Sequence, residues 1–107
     1  MDFEKIKGEL KQVNIEELRL DHDNYFEAVI IKEELDKLKG LLESFFGMPA
    51  FPSKNGLTQE MRQATSDAGG IMAGQTLYYS DRDADVIFAM LWPWKDGRHI
   101  TVKIIKK

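Results

Sequence analysis

The stretch VIFAMLWPWKDGRHITVKII, Val86 to Ile105, constrains the fold more than any other part of the chain. Two runs rich in β-branched and aromatic residues flank Asp96-Gly97, a dipeptide suited to a tight hairpin turn. With those two residues as the turn, Lys95 faces Arg98, Trp94 faces His99, Pro93 faces Ile100 and Trp92 faces Thr101. Side chains alternate across a strand, so this register sorts the hairpin into two faces. Ile87, Ala89, Leu91, Ile100, Val102 and Ile104 make one face, wholly apolar, which belongs beneath helices. Phe88, Met90, Trp92 and Trp94 make the other, opposite His99, Thr101 and Lys103.

The remaining elements follow from periodicity. Phe3, Ile6, Leu10 and Val13 recur at helical spacing behind Asp2, a capping residue. Residues 14–20, NIEELRL, read as a strand with a bulge, although Asn14 and Glu17 also fit a capping box. Asp21–Asn24 is a turn and Tyr25–Ile31 a strand. From about Lys32, Leu35, Leu38, Leu41, Leu42, Phe45 and Phe46 share one helix face, which Gly47 and Pro49 end. Leu38, Leu42 and Phe45 are the expected core residues of that helix. After the proline-containing loop 47–56, Leu57, Met61, Ala64 and Ala68 mark a short helix capped by Thr58 and stopped by Gly69-Gly70. QTLYYS is one more strand.

With 107 residues and no repeat or linker, the chain is expected to form one domain, 1–107. The class is α+β: two layers, a mainly antiparallel sheet of four to five strands and two to three helices, in the order (α)ββααβββ.

Several chemistries are excluded or disfavoured. The chain has no cysteine, so it has no disulfide, thiolate metal site or cysteine nucleophile. Its charged N-terminus lacks a signal-peptide core, and its longest apolar run is too short for a membrane helix; a cytoplasmic location is expected. Net charge is −5 over residues 1–47, −2 over 48–94 and +4 over 95–107. The basic end, Lys95, Arg98, Lys103, Lys106 and Lys107, is expected to lie near the acidic N-terminal half, and a nucleic-acid partner is not expected.

GGIMAGQT, Gly69–Thr76, is one residue away from a phosphate-binding loop, with Gln75 where lysine belongs. Its context is reversed, because a helix precedes it and a strand follows. It reads as a helix end leading into a strand, with Gly74 as a possible bulge or point of close backbone approach. DRDADV resembles the start of a calcium loop through Asp81, Asp83 and Asp85, but Val86 stands at the glycine position and Trp92 at the closing glutamate. Asp21, His22 and Asp23 lack the further ligands a metal needs. No metal or cofactor is expected, and no catalytic residue is assigned; His99 is the better placed of the two histidines.

The mixed aromatic and polar face is the expected functional surface: Phe88, Met90, Trp92, Trp94, His99 and Thr101, with Tyr78 from the neighbouring strand. Such faces occur where proteins bind each other. The leading expectation is a non-enzymatic binding or protein-interaction module, self-associating through this face. The alternative is a small enzyme or small-molecule-binding domain with a pocket between the Trp92/Trp94 face and the loop 48–56. A third is a nucleic-acid contact through the basic C-terminal strand. Against all three stands a purely structural outcome, in which the first helix or the loop carrying Phe51 covers these rings as a second core.

Overall fold

A computed structural model describes residues 2–54, 56–82 and 85–107. The elements run α1 (Phe3–Leu10), β1 (Ile15–Asp21), β2 (Tyr25–Ile31), a 3-10 turn (Lys32–Glu34), α2 (Leu35–Phe46), α3 (Gln59–Ser66), β3 (Thr76–Ser80), β4 (Ile87–Pro93) and β5 (His99–Lys106). The fold is α+β, with one antiparallel five-stranded sheet in the order β1-β2-β5-β4-β3.

The helices start and stop for local reasons. The Asp2 carboxylate accepts from the Glu4 and Lys5 amides at 2.9 and 3.3 Å, satisfying donors that open α1. The Thr58 hydroxyl accepts from the Met61 amide at 3.1 Å and opens α3. Gly47 ends α2 at φ 81°, a conformation that favours glycine. Asn14 does not cap a helix; its amide donates to Glu34 Oε1 at 2.6 Å. Residues 15–21 form a strand whose register against β2 shifts twice, between Ile15 and Glu17 and between Leu18 and Leu20.

Each face of the sheet carries a core. On the first, Ile87, Ala89, Leu91, Ile100, Val102 and Ile104 lie under Phe3, Ile6 and Leu10 of α1 and Leu38, Leu42 and Phe46 of α2. Phe46 is buried in α2, whereas Phe45 is only half-buried, so the helix is rotated by one residue at its end from the expected core set. On the second face, Leu77, Phe88, Met90 and Ile105 are covered by Phe51, Leu57, Met61, Ala64 and Ala68. α3 therefore packs on the opposite side of the sheet from α1 and α2. Its period fixes an apolar stripe but not the sheet face that receives it.

β5 is the central strand, flanked by β2 and β4, which is why none of its residues is fully exposed. Its basic residues do lie beside the acidic N-terminal half: Lys103 faces Glu27 across the β2–β5 ladder, and Lys106 shares a groove with Asp2, Glu4 and Asp23. Lys107 pairs with Asp67 at 2.7 Å, and Lys106 lies 3.8 Å from Asp85. Asp83 of the DRDADV stretch lies outside the described residues.

Candidate functional site

The β4–β5 hairpin has the expected register. Trp92 faces Thr101 and Pro93 faces Ile100, and the Trp94 amide donates to the His99 carbonyl at 2.8 Å. The turn itself is wider than a two-residue turn on Asp96-Gly97. The Gly97 amide donates to the Trp94 carbonyl at 3.3 Å, and Gly97 alone takes a positive φ, 71°. A two-residue type I′ turn would force Asp96 into the left-handed region as well. Instead the Asp96 carboxylate accepts from the Arg98 and His99 amides at 2.9 and 3.1 Å. Its second oxygen lies 2.6 Å from His99 Nδ1. These bonds hold the Asp96 carboxyl down to about 2, the Arg98 amide contributing most and the His99 ring next. An ionised carboxylate only accepts, so Nδ1 is the donor in this contact.

The expected surface residues divide into three groups. Phe88 and Met90 are fully buried under α3 and the loop carrying Phe51, so they offer nothing to a partner. Trp92 is half-buried beside them. The Lys103 ammonium sits 3.7 Å from its ring centroid, close enough for a cation–π contact. The Trp92 Nε1 is buried with no hydrogen-bond partner among the described residues. Tyr78 is on the other face of the sheet: it is opposite Ala89, packs with Phe46, and donates its hydroxyl to Glu43 at 2.9 Å. Tyr79 is the residue whose ring joins Phe88, at 6.4 Å. A shift of one residue exchanges the faces of a strand, and no hydrophobic pattern in residues 81–86 fixes that count.

Trp94, His99 and Thr101 do come together. Trp94 Nε1 donates to the Thr101 hydroxyl at 2.8 Å, and the indole lies 4.8 Å from the His99 ring. The Arg19 guanidinium of β1 stands 5.6 Å from the indole. An indole that reaches from Thr101 on β5 toward Arg19 on β1 must cross β2, where Val29 faces both Thr101 and Glu17. Val29 is buried. Arg19 is also within 3.5 Å of Glu17 and 3.4 Å of Glu27.

The second face is thus covered in two pieces. α3 and its loop cover β3, β4 and the Ile105 end of β5, with Tyr25 of β2 packed against the same cluster, while Trp94 stands at the hairpin end between Thr101 of β5 and Arg19 of β1. That tryptophan keeps 37% of its surface exposed. Beside it, at the hairpin end, is a groove of about 220 Å³ lined by Leu35, Pro93, Trp94, His99 and Ile100 among others. Arg19 and Glu27 were missed in the sequence. Only the order β1-β2-β5 brings them to the hairpin, and that order is a long-range property.

The GGIMAGQT stretch follows α3 and runs into β3, the reverse of a phosphate-binding loop. Gln75 is engaged locally, its side-chain oxygen accepting from the Met72 amide at 2.9 Å. The close approach falls at Gly69 rather than at Gly74, which has a positive φ but open space around it. Among the described residues no group of three or more His, Asp or Glu could hold a metal ion, and no helix is long and apolar enough to cross a membrane. Set against protein-family models, curated proteins and solved structures, the chain matches none.

Proposed function

We propose that the chain is a small protein-interaction module whose contact surface is the β1–β2–β5 side of the second sheet face, with Trp94 as its anchor. One observation carries the reading. A tryptophan with 37% of its surface exposed is held in place by Thr101, His99 and Arg19 at the hairpin end of the sheet. Tryptophan and arginine are the residues that most often dominate interface energy, and a pre-ordered ring loses little entropy on binding.

The small-molecule alternative has weaker support. The space between the loop 48–56 and the sheet holds Phe51 over fully buried Phe88 and Met90. The groove beside Trp94, at about 220 Å³, is smaller than the ~300 Å³ at which ligand pockets usually begin.

The first partner to test is a second copy. Sedimentation equilibrium from micromolar to millimolar concentration should show self-association. Trp94→Ala should weaken it by roughly 30-fold, the equivalent of about 2 kcal/mol for one anchor. A parent that keeps the mass of one chain throughout would contradict self-association at this face. So would an alanine variant with unchanged affinity.

A further inference from the structure

We infer that β1 pairs with β1 of a second copy of this chain, antiparallel about Leu18, so that two five-stranded sheets become one. This deepens the reading above, on which it rests, by naming the edge, the register and the partner.

The sheet has two edges, and they are treated differently. The outer side of β3 is occupied by the loop before α3. Phe51 forms an antiparallel bridge to Leu77, with the Ala50 amide 2.7 Å from the Leu77 carbonyl and the Leu77 amide 2.9 Å from the Phe51 carbonyl. β1 is the other edge, and all of its residues after Ile15 are exposed. Two of them are leucines, Leu18 at 56% and Leu20 at 42% exposure. An exposed strand edge is a template for another strand unless its side chains oppose pairing.

The side chains of β1 oppose most symmetric pairings and favour one. In a two-fold antiparallel pair, the residue on the axis faces its own copy. An axis at Glu16, Glu17 or Arg19 would set like charges directly against each other, which destabilises a pair. An axis at Leu20 sets Arg19 against Asp21 but Glu17 against Asp23, and uses only the end of the strand. An axis at Leu18 uses all of Ile15–Asp21, places leucine on leucine, and sets Glu17 against Arg19 on both sides. The two bulges in β1 fall at Glu16 and Arg19 and restrict pairing with arbitrary strands, and the step from Glu17 to Leu18 between them is regular.

The ground behind Leu18 fits the same contact. Leu18 faces Ala28 of the helix-side core and borders a groove of about 210 Å³ between α1 and the sheet, where Ile15 and Phe26 give apolar wall and Glu4, Lys7, Lys11 and Asp21 a charged rim. Gly8 of α1 lines this groove and leaves it open, since a Cβ there would meet nothing within 4 Å. Opposed residues in paired strands share a face, so the copy's Leu18 arrives at the mouth of this groove. On the other face, each Arg19 would keep its place at Trp94 while meeting the copy's Glu17.

A charge exchange tests the register. Arg19→Glu should weaken self-association by about tenfold or more, because two attractive pairs become two repulsive ones. The double variant Glu17→Arg/Arg19→Glu should restore it, with circular dichroism confirming the fold of both. The native chain has no cysteine, so Leu18→Cys carries a single thiol. Under mild oxidation it should form a covalent dimer far faster than Gln63→Cys on the exposed side of α3. Failure of the double variant to recover, or equal cross-linking of the two cysteine variants, would overturn the pairing and leave the Trp94 surface standing. A single-chain mass at every concentration would overturn both.

Discussion

Gly69 lies against the indole of Trp92 so closely that a Cβ at position 69 would fall 2.8 Å from Trp92 Cη2. Gly69 also has φ +100°, a conformation that side chains rarely adopt. It follows α3, whose last turn is closed by the Gly70 amide donating to the Thr65 carbonyl at 2.9 Å. One glycine therefore ends a helix and clears a place for the ring that joins α3 to the sheet. Gly69→Ala should cost roughly 1–3 kcal/mol, the usual scale of an overpacked contact. Gly74→Ala is the control, with a positive φ but no neighbour within 4 Å. Equal denaturation midpoints for the two variants would show that the Trp92 contact contributes nothing beyond backbone strain.

Leu42 is fully buried between α2 and the sheet. Leu42→Ala should lower stability by about 2–5 kcal/mol in a denaturant titration, the range for emptying a core leucine site. Phe45→Ala should cost less than Phe46→Ala, because Phe46 is the buried member of the pair. The reverse order would place the end of α2 in a different rotation.

The hairpin tip should be sensitive to acid. The Asp96 carboxyl is lowered from 3.8 to about 2, so the folded hairpin favours its ionised form. A lowered carboxylate contributes stability that is present above its unfolded value and lost as pH falls through its folded value. The loss should therefore run between about pH 4 and pH 2. It should appear as altered Trp94 fluorescence, because the His99 ring that Asp96 holds lies 4.8 Å from the indole. Asp96→Asn should flatten that response. An identical acid transition in the variant would assign it to other carboxyls.

Tyr78 should make the fold sensitive to base. Burial, and then the hydrogen bond to Glu43, raise its hydroxyl above the ordinary value of 10.0. The unfolded chain ionises first, so stability should fall as pH rises beyond about 10. Tyr78→Phe should reduce that slope in alkaline denaturation. An unchanged slope would leave Tyr25 and Tyr79, whose hydroxyls are also raised, as the groups responsible.

What the sequence made legible was local and periodic. The β4–β5 register followed from alternation between two runs of known spacing, and it correctly separated Ile100, Val102 and Ile104 from Thr101 and Lys103. The ends of α2 and α3 were readable because Gly47, Thr58 and Gly69-Gly70 act within one helical turn. What stayed hidden depends on parity and on distant pairing. Tyr78 lies on the helix-side face, a parity that nothing in the sequence of residues 81–86 reveals. α3 carries an apolar stripe that either face could accept. Arg19, over Trp94, is 75 positions away in sequence, and only the strand order β1-β2-β5 unites them.

The two indoles offer the most direct test, because each Nε1 proton gives its own resonance in a proton–nitrogen correlation spectrum. Trp92 is wedged beneath Gly69 with its Nε1 buried, while Trp94 is exposed over the sheet with its Nε1 bonded to Thr101. If the Trp94 side of the sheet meets a second copy, dilution from millimolar to micromolar chain should shift or sharpen the Trp94 resonance and leave that of Trp92 in place. Two resonances that stay fixed over the whole range, with a rotational correlation time of one chain throughout, would contradict it.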